Sequence, residues 1–365
     1  MTNVLDLPPE DLKKRFIGTG IEGYRADQVL SWIYDKGVYD FDRMTNLPQA
    51  LRAKLKKEWH LRMPETDAVE RSADDQSTKL LLKLDDGRMV ETVHLPVKDR
   101  RTVCVSTQAG CKFHCAFCAS GQAGFFRNLT AGEILSQVLK ARELSPDRKI
   151  TNIVFMGIGE PFDNYDEVLK AVRTLNAKNA LGLGARRITI STCGVVPKIE
   201  KFAGEKLQVE LSVSLHGATD AVRGAIMPVN QAYGVKRLIE ACRQYAKKTK
   251  RAITFEYILI KGVNASLKDA QSLASLLKGI LCKVNLIPYN PIEEFPHAAP
   301  EYAEIVAFQQ VLQRAGIKTT VRFSKGRDIQ AACGQLRSVK MTRSVIARST
   351  EGATKQSLDE KRNEI

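Results

Sequence analysis

From position 101 onward, apolar β-branched runs alternate with amphipathic ones. TVCVSTQ, TNIVFMGIG, RRITISTC, VELSVSLHG, AITFEYILIKG and CKVNLIPYN read as strands, with TTVRFSKG last and helical runs between or after them. Thr130 and Glu133 form a capping box ahead of Ile134, Leu135, Val138 and Leu139. Ile305, Phe308, Val311 and Leu312 mark another buried helical face. Such alternation predicts an α/β fold, a parallel sheet with helices outside. About six units are too few for a closed eight-stranded barrel, so an open, partial β/α barrel is expected over residues 101–340. Its functional residues should lie at the carboxyl ends of the strands.

The chain before this point is different. Residues 1–62 read as a small helical accessory unit. Pro8 and Pro9 open one helix, Val29, Leu30, Trp32 and Ile33 share a face of the next, and LPQALRAKLKKEW makes a third. In that third helix Lys54, Lys56 and Lys57 sit opposite Leu51 and Leu55. A solvated face explains any one of these lysines, whereas RNA docking accounts for them together. Residues 63–100 contain two strands, 78–84 and 89–96, around an Asp-Asp-Gly-Arg turn, so a short β-hairpin linker is expected. The tail, 341–365, is polar and aperiodic and is expected to be disordered.

Charge narrows the partners. The 365 residues carry 56 Lys and Arg against 41 Asp and Glu, a net +15. A chain this basic is drawn to polyanions, of which nucleic acid is the commonest in the cytosol. The amino terminus lacks a signal-peptide pattern, and no apolar run is long enough for a membrane span. A cytoplasmic protein with no membrane partner is expected. Eight cysteines, three of them on one loop, then read as reduced thiols and a metal site.

That loop, GCKFHCAFCASGQAGFFR at 110–127, holds Cys111, Cys115 and Cys118 in a C-x3-C-x2-C spacing. Three thiolates leave one iron of a [4Fe–4S] cluster without a protein ligand, the open position a catalytic metal site needs. A zinc site completed by His114 or a distant residue is the alternative, but the chain has no second C-x2-C pair. Other polar groups fall on the rim predicted to carry the site: Gly159 and Glu160, Ser191, Ser214-Leu215-His216, and Asn290. Gly159 permits close backbone approach, Glu160 can accept from an ammonium, and Ser191, His216 and Asn290 can bond a ribose or adenine edge. Glu91 alternates with apolar neighbours. On spacing alone a solvent-facing carboxylate is the simpler account, as a buried structural thiol is for Cys333.

The cysteine spacing resembles that of the radical S-adenosylmethionine (SAM) superfamily. RADQVLSWIYDKGVYDF, VCVSTQAGCKFHCAFCASGQAGFFRNL, FMGIGEP, ISTCGVVP, SLHGATDAVRGAIMPVN, CKVNLIPYNP and RDIQAACGQL together resemble the RlmN-type enzymes, which methylate adenine C2 in 23S rRNA and tRNA. The likeness runs from about residue 8 to 337, with Ile158 and Cys193 as small departures where methionine and serine are common. It implies a [4Fe–4S] cluster on the three cysteines and SAM bound at the open iron. Cys333 would accept a methyl group from one SAM, and a radical from a second would activate that methyl to add to C2. Cys104 would resolve the protein–RNA adduct by forming a disulfide with Cys333, and Glu91 would be the proton acceptor. A flavodoxin or ferredoxin as electron donor and a monomeric state are further implications. The related Cfr-type enzymes, which methylate adenine C8, share the cluster cysteines and the Cys104–Cys333 pair, so those residues do not separate the two. The helical start and CKVNLIPYNP favour the C2 type. A non-enzymatic basic RNA-binding protein with a structural metal would leave Cys104, Glu91 and Cys333 without a reason.

Overall fold

The computed structural model describes residues 2–145, 147 and 149–337; the tail expected to be disordered lies outside the described residues. At the start, β1 (Thr2–Asn3) leads to α1 (Pro9–Gly18), α2 (Tyr24–Tyr34) and α3 (Gln49–Glu58), and β2 (Trp59–His60) returns parallel to β1. Pro9 occupies the first turn of α1, where an N–H would have no helical partner. Phe16, Val29, Leu30, Ile33, Leu55 and Trp59 form a hydrophobic cluster of their own, Phe16 edge-on to Trp59 at 5.4 Å. Lys56 and Lys57 are exposed, while Lys54 donates to the Thr19 carbonyl at 2.6 Å. The helical cluster meets the rest of the chain at Leu139, and the Asp6 carboxylate accepts from the Gly132 N–H at 2.9 Å.

The meander that follows has three strands rather than the expected two: β3 (Glu65–Arg71), β4 (Thr78–Lys83) and β5 (Met89–Val97). It is not a free-standing linker. β5 pairs antiparallel with β6 (Arg100–Cys104), the first strand of the parallel region, so the meander continues the main sheet.

After β6, a small ladder of β7 (Gln108–Gly110) and β8 (Phe125–Asn128) brackets the cysteine loop and the short α4 (Ala119–Gln122). The alternation then proceeds as the pattern predicts. It runs through α5 (Ala131–Arg142), β9 (Asn152–Phe155), α6 (Tyr165–Asn176), β10 (Ile188–Thr192) and α7 (Val196–Phe202). Next come β11 (Glu210–Ser214), α8 (Asp220–Ile226), α9 (Val235–Thr249), β12 (Ile253–Leu259) and α10 (Leu267–Leu277). The last elements are β13 (Cys282–Pro288), α11 (Tyr302–Arg314) and β14 (Lys318–Val321). The Thr130–Glu133 capping box is present on α5.

One ten-stranded sheet results, ordered β14-β13-β12-β11-β10-β9-β6-β5-β4-β3, parallel from β14 to β6. Among the described residues no pairing joins β14 to β3, so the barrel is open, as expected. The helices α5, α6, α7, α9, α10 and α11 lay their apolar faces on the sheet, and Ile153, Phe155, Ile190, Val213 and Phe255 sit in that shared core. Beyond β14 the chain becomes a strap, residues 325–337, that crosses to the opposite end of the sheet. There the Gly326 N–H donates to Asp75 at 2.8 Å and the Ala73 N–H to Asp328 at 3.0 Å.

Candidate active site

The cysteine loop is built by its own backbone. Gly110, at φ +78°, lets the chain turn against residue 124, and the Cys111 N–H donates to the Gly124 carbonyl at 2.8 Å. A Cβ at Gly110 would collide with that carbonyl oxygen. The Cys118 N–H bonds the Cys115 carbonyl at 3.1 Å, closing the turn between the last two thiols. Nδ1 of His114 lies 2.9 Å from the Gly121 carbonyl, so that nitrogen is engaged by backbone.

Cys111, Cys115 and Cys118 line one cavity, with about 900 Å³ of free space that includes its opening to solvent. Burial pushes the Cys111 thiol up to about 12, and Cys115 and Cys118 upward too. Thiols so placed ionise only against a compensating cation, which suits an iron–sulfur cluster. A single zinc ion would draw its sulfurs to within ~2.3 Å of one point. On this loop only His114 could supply a fourth ligand to zinc, and its Nδ1 is already engaged by the Gly121 carbonyl. The residues fit a multi-iron cluster better than zinc.

Across the cavity lie Gly159, Glu160, Ser191, Ser214 and His216, as the rim predicts. Gly159 has φ +100°, and a Cβ there would come within 2.6 Å of the Gln108 side chain. The buried Glu160 carboxylate accepts from the N–H groups of Phe162 at 2.9 Å and Cys193 at 2.7 Å. Burial pushes its carboxyl up, and those donors oppose the shift. His216 sits at φ +56°, its Nδ1 accepting from the Ile258 N–H at 3.0 Å and its ring edge-on to Phe117 at 4.9 Å. Burial, then Arg223, lowers its pKa to about 3, so the ring is neutral.

Two rim residues stand elsewhere. Leu215 follows Ser214 on an extended chain and points the opposite way, into the sheet–helix core. Asn290 does not line the cavity. Its Nδ2 donates to Ser324 Oγ at 2.9 Å and to the Cys333 carbonyl at 3.1 Å, so it holds the strap.

Cys333 lies on the strap and lines the cluster cavity. It also lines a second, more polar cavity with Cys104 and Arg322; Met156 and Glu256 are common to both linings. Burial, then Cys333, pushes the Cys104 thiol up to about 12, and Arg322 opposes this. All eight cysteines are free thiols. Glu91 lines neither cavity and is buried, against the solvent-facing reading of its spacing. Its Oε1 lies 3.2 Å from Lys79 Nζ, and its Oε2 accepts from the Arg337 N–H at 2.7 Å.

Comparison with known proteins agrees with this geometry. Residues 2–61 match the Ribosomal RNA large subunit methyltransferase N-terminal domain, and residues 105–274 match the Radical SAM superfamily. A probable dual-specificity RNA methyltransferase RlmN of Clostridium tetani is 49% identical over 92% of this chain and 96% of its own. Its counterpart in Thermoanaerobacter sp. X514 is 46% identical over 92% and 98%. The crystal structure of a radical SAM methyltransferase from Sphaerobacter thermophilus superposes with a TM-score of 0.88, at 45% identity over 92% of this chain and 99% of that one.

The chain belongs to the RlmN family. It is a radical SAM RNA methyltransferase whose cofactors are a [4Fe–4S] cluster and SAM. No helix among the described residues is long and apolar enough to cross a membrane. Two charged groups of this RlmN chain escape sequence reasoning. Arg223 on α8 is fully buried, donating to the carbonyls of Cys193 at 2.6 Å and Leu215 at 3.1 Å and to Asn230 at 3.0 Å. It ties together the ends of β10 and β11, where the cavity wall is made. Glu256 on β12 is buried between Ser212 and Asn285, at 3.2 and 2.8 Å. Nothing in the spacing of either residue marks it.

Proposed function

We propose that this chain methylates C2 of adenine in 23S rRNA and in tRNA, with Cys333 as the methyl carrier. The observation that carries the reading is the position of Cys333, on the wall of both the cluster cavity and the second cavity that holds Cys104. When bound, the cluster and SAM supply the electron and the methyl group. Cys111, Cys115 and Cys118 would hold three irons. Gly159, Glu160, Ser191, Ser214 and His216 would shape the SAM pocket, with Asn290 acting through the strap. Cys333 Sγ would carry the methyl to the base, which must leave its stack to reach so enclosed a site. Glu91 would take the proton lost from C2, for which its carboxylate must come within hydrogen-bond reach. Cys104 Sγ, as thiolate, would attack Cys333 Sγ, forming the disulfide as the bond from Cys333 Sγ to the CH2 on the base breaks, and the released carbon would take up a proton to become the C2 methyl group. Residues 1–62 would dock the RNA, using the exposed lysines of α3. We further propose a monomer working in the cytoplasm and reduced by a flavodoxin or ferredoxin.

The test is an anaerobic assay of the reconstituted chain with SAM, a reductant and ribosomal or transfer RNA, read by mass spectrometry of nucleosides. Detection of 2-methyladenosine, abolished by Cys333→Ala, is the expected result. 8-Methyladenosine would assign the Cfr-type reaction instead. No product on either RNA, with the cluster intact, would overturn the proposal.

A further inference from the structure

Lys79 is buried on β4, facing the meander's inner surface, and takes no part in the chemistry above. Register places it opposite Val93, while Glu91 lies opposite Leu81, so the two side chains form a diagonal pair across β4 and β5. A lysine this buried needs partners for all three of its N–H donors. It has three. Nζ lies 3.2 Å from Glu91 Oε1 and 3.3 Å from Glu70 Oε2 on β3, and donates to the Ile329 carbonyl at 2.8 Å.

The third partner is the informative one. Ile329 stands four residues before Cys333 on the strap, and Arg337, whose N–H bonds the other Glu91 oxygen, stands four residues after. The Lys79–Glu91 pair therefore grips the strap on both sides of Cys333. A structural ion pair in the meander would need neither contact.

We propose that Lys79 is a positioning residue for methyl transfer, fixing the Glu91 carboxylate and the Cys333-bearing strap in one register. This rests on Glu91 being the proton acceptor. The charged groups facing that carboxylate are Lys79 from β4, Glu70 from β3 and Arg337 from the strap, whose guanidinium is itself paired with Glu294 at 2.6 and 2.8 Å. Burial pushes the Glu91 carboxyl up, with Lys79 the chief group opposing and Glu70 adding to the rise. Without Lys79, the base would be protonated, and so unable to accept, at higher pH than in the native chain.

Two readouts on the full reconstituted chain test this. Lys79→Met should move the acid limb of the RNA-methylation pH profile upward by about one pH unit or more, the effect of losing a neighbouring opposite charge. It should also speed hydrogen exchange in residues 326–337 by about tenfold, as loss of a charge-assisted hydrogen bond would. Lys79→Arg, which keeps the charge and donors, should restore the pH limb. Thermal melts of both variants separate these effects from general unfolding. A native pH limb and native exchange in a folded Lys79→Met chain would overturn the proposal. Glu91→Gln supplies the independent control. If it retains full activity, the base reading falls and the pH argument with it, and the exchange rate alone then decides whether Lys79 holds the strap.

Discussion

The Ala119 N–H donates to the Gly334 carbonyl across 2.7 Å, bonding the residue after the last cluster cysteine to the residue after Cys333. At the next residue, Ser120 Oγ donates to the Leu336 carbonyl at 2.6 Å. The Cys333 segment, which carries the methyl group in the function proposed above, is thus fastened to the cysteine loop itself. Gly334 is required by this fit, because it has φ +85° and a Cβ there would lie 3.1 Å from the Phe117 carbonyl. Gly334→Ala should cost about 1–3 kcal/mol of local strain. Iron content should stay native while methyl occupancy of Cys333, read by intact-protein mass, falls by about tenfold or more. Native occupancy would show that the fit does not matter.

Cys104→Ala should leave the strap and cysteine loop in place, since it keeps an apolar side chain against Ala331 and Leu336 of the strap, and among the described residues no hydrogen bond of the Cys104 side chain to either is seen. If Cys104 is the resolving thiol, the variant should stall with RNA covalently attached through Cys333. A denaturing gel of labelled RNA would show the adduct. Free 2-methyladenosine at the native rate would remove Cys104 from the mechanism.

Gly110→Ala strikes the loop at its root, where the new Cβ meets backbone that cannot rotate away. The left-handed φ and the collision together should cost about 3 kcal/mol or more. The expected result is a chain that still folds but binds less than half the native iron after reconstitution. Full iron loading would mean that the β7–β8 ladder gives way more easily than its hydrogen bonds suggest.

The neutral, buried His216 makes stability depend on pH. Its folded pKa, about 3, lies below the ordinary value of 6.5, so below 6.5 the unfolded chain binds a proton that the folded chain refuses. Its contribution is therefore complete above about 6.5 and is lost progressively as pH falls towards 3. Denaturant midpoints of the native chain and His216→Gln should converge on acidification through that window. Midpoints separated by a constant amount from pH 7 to 4 would contradict the sign.

The barrel was legible because periodicity changes cleanly at each strand, and the cysteine triad because its ligands are close in sequence. β3 was not, since ETDAVER lies on the sheet's edge and exposes nearly all its side chains, leaving no buried face to create alternation. Arg223 reads as ordinary helix charge; its partners at 193, 215 and 230 converge only when β10, β11 and the turn after α8 meet. Leu215 differs from its neighbours for a simpler reason. It sits between two cavity residues, and its own side chain is buried in the sheet–helix core. Glu91 read as a solvent-facing strand charge because the strap that covers its face, through Arg337, is distant in sequence.

The strap gives the open sheet a particular mechanical character. The two edges of the ten-stranded sheet, β14 and β3, are joined among the described residues not by a β-ladder but by residues 325–337, latched at Asp75 and Ala73. The latch and Cys333, the methyl carrier of the proposed reaction, are the same piece of chain. Any widening of the gap to admit a nucleotide would carry Cys333 with it, so admission of substrate and placement of the methyl group share one moving part.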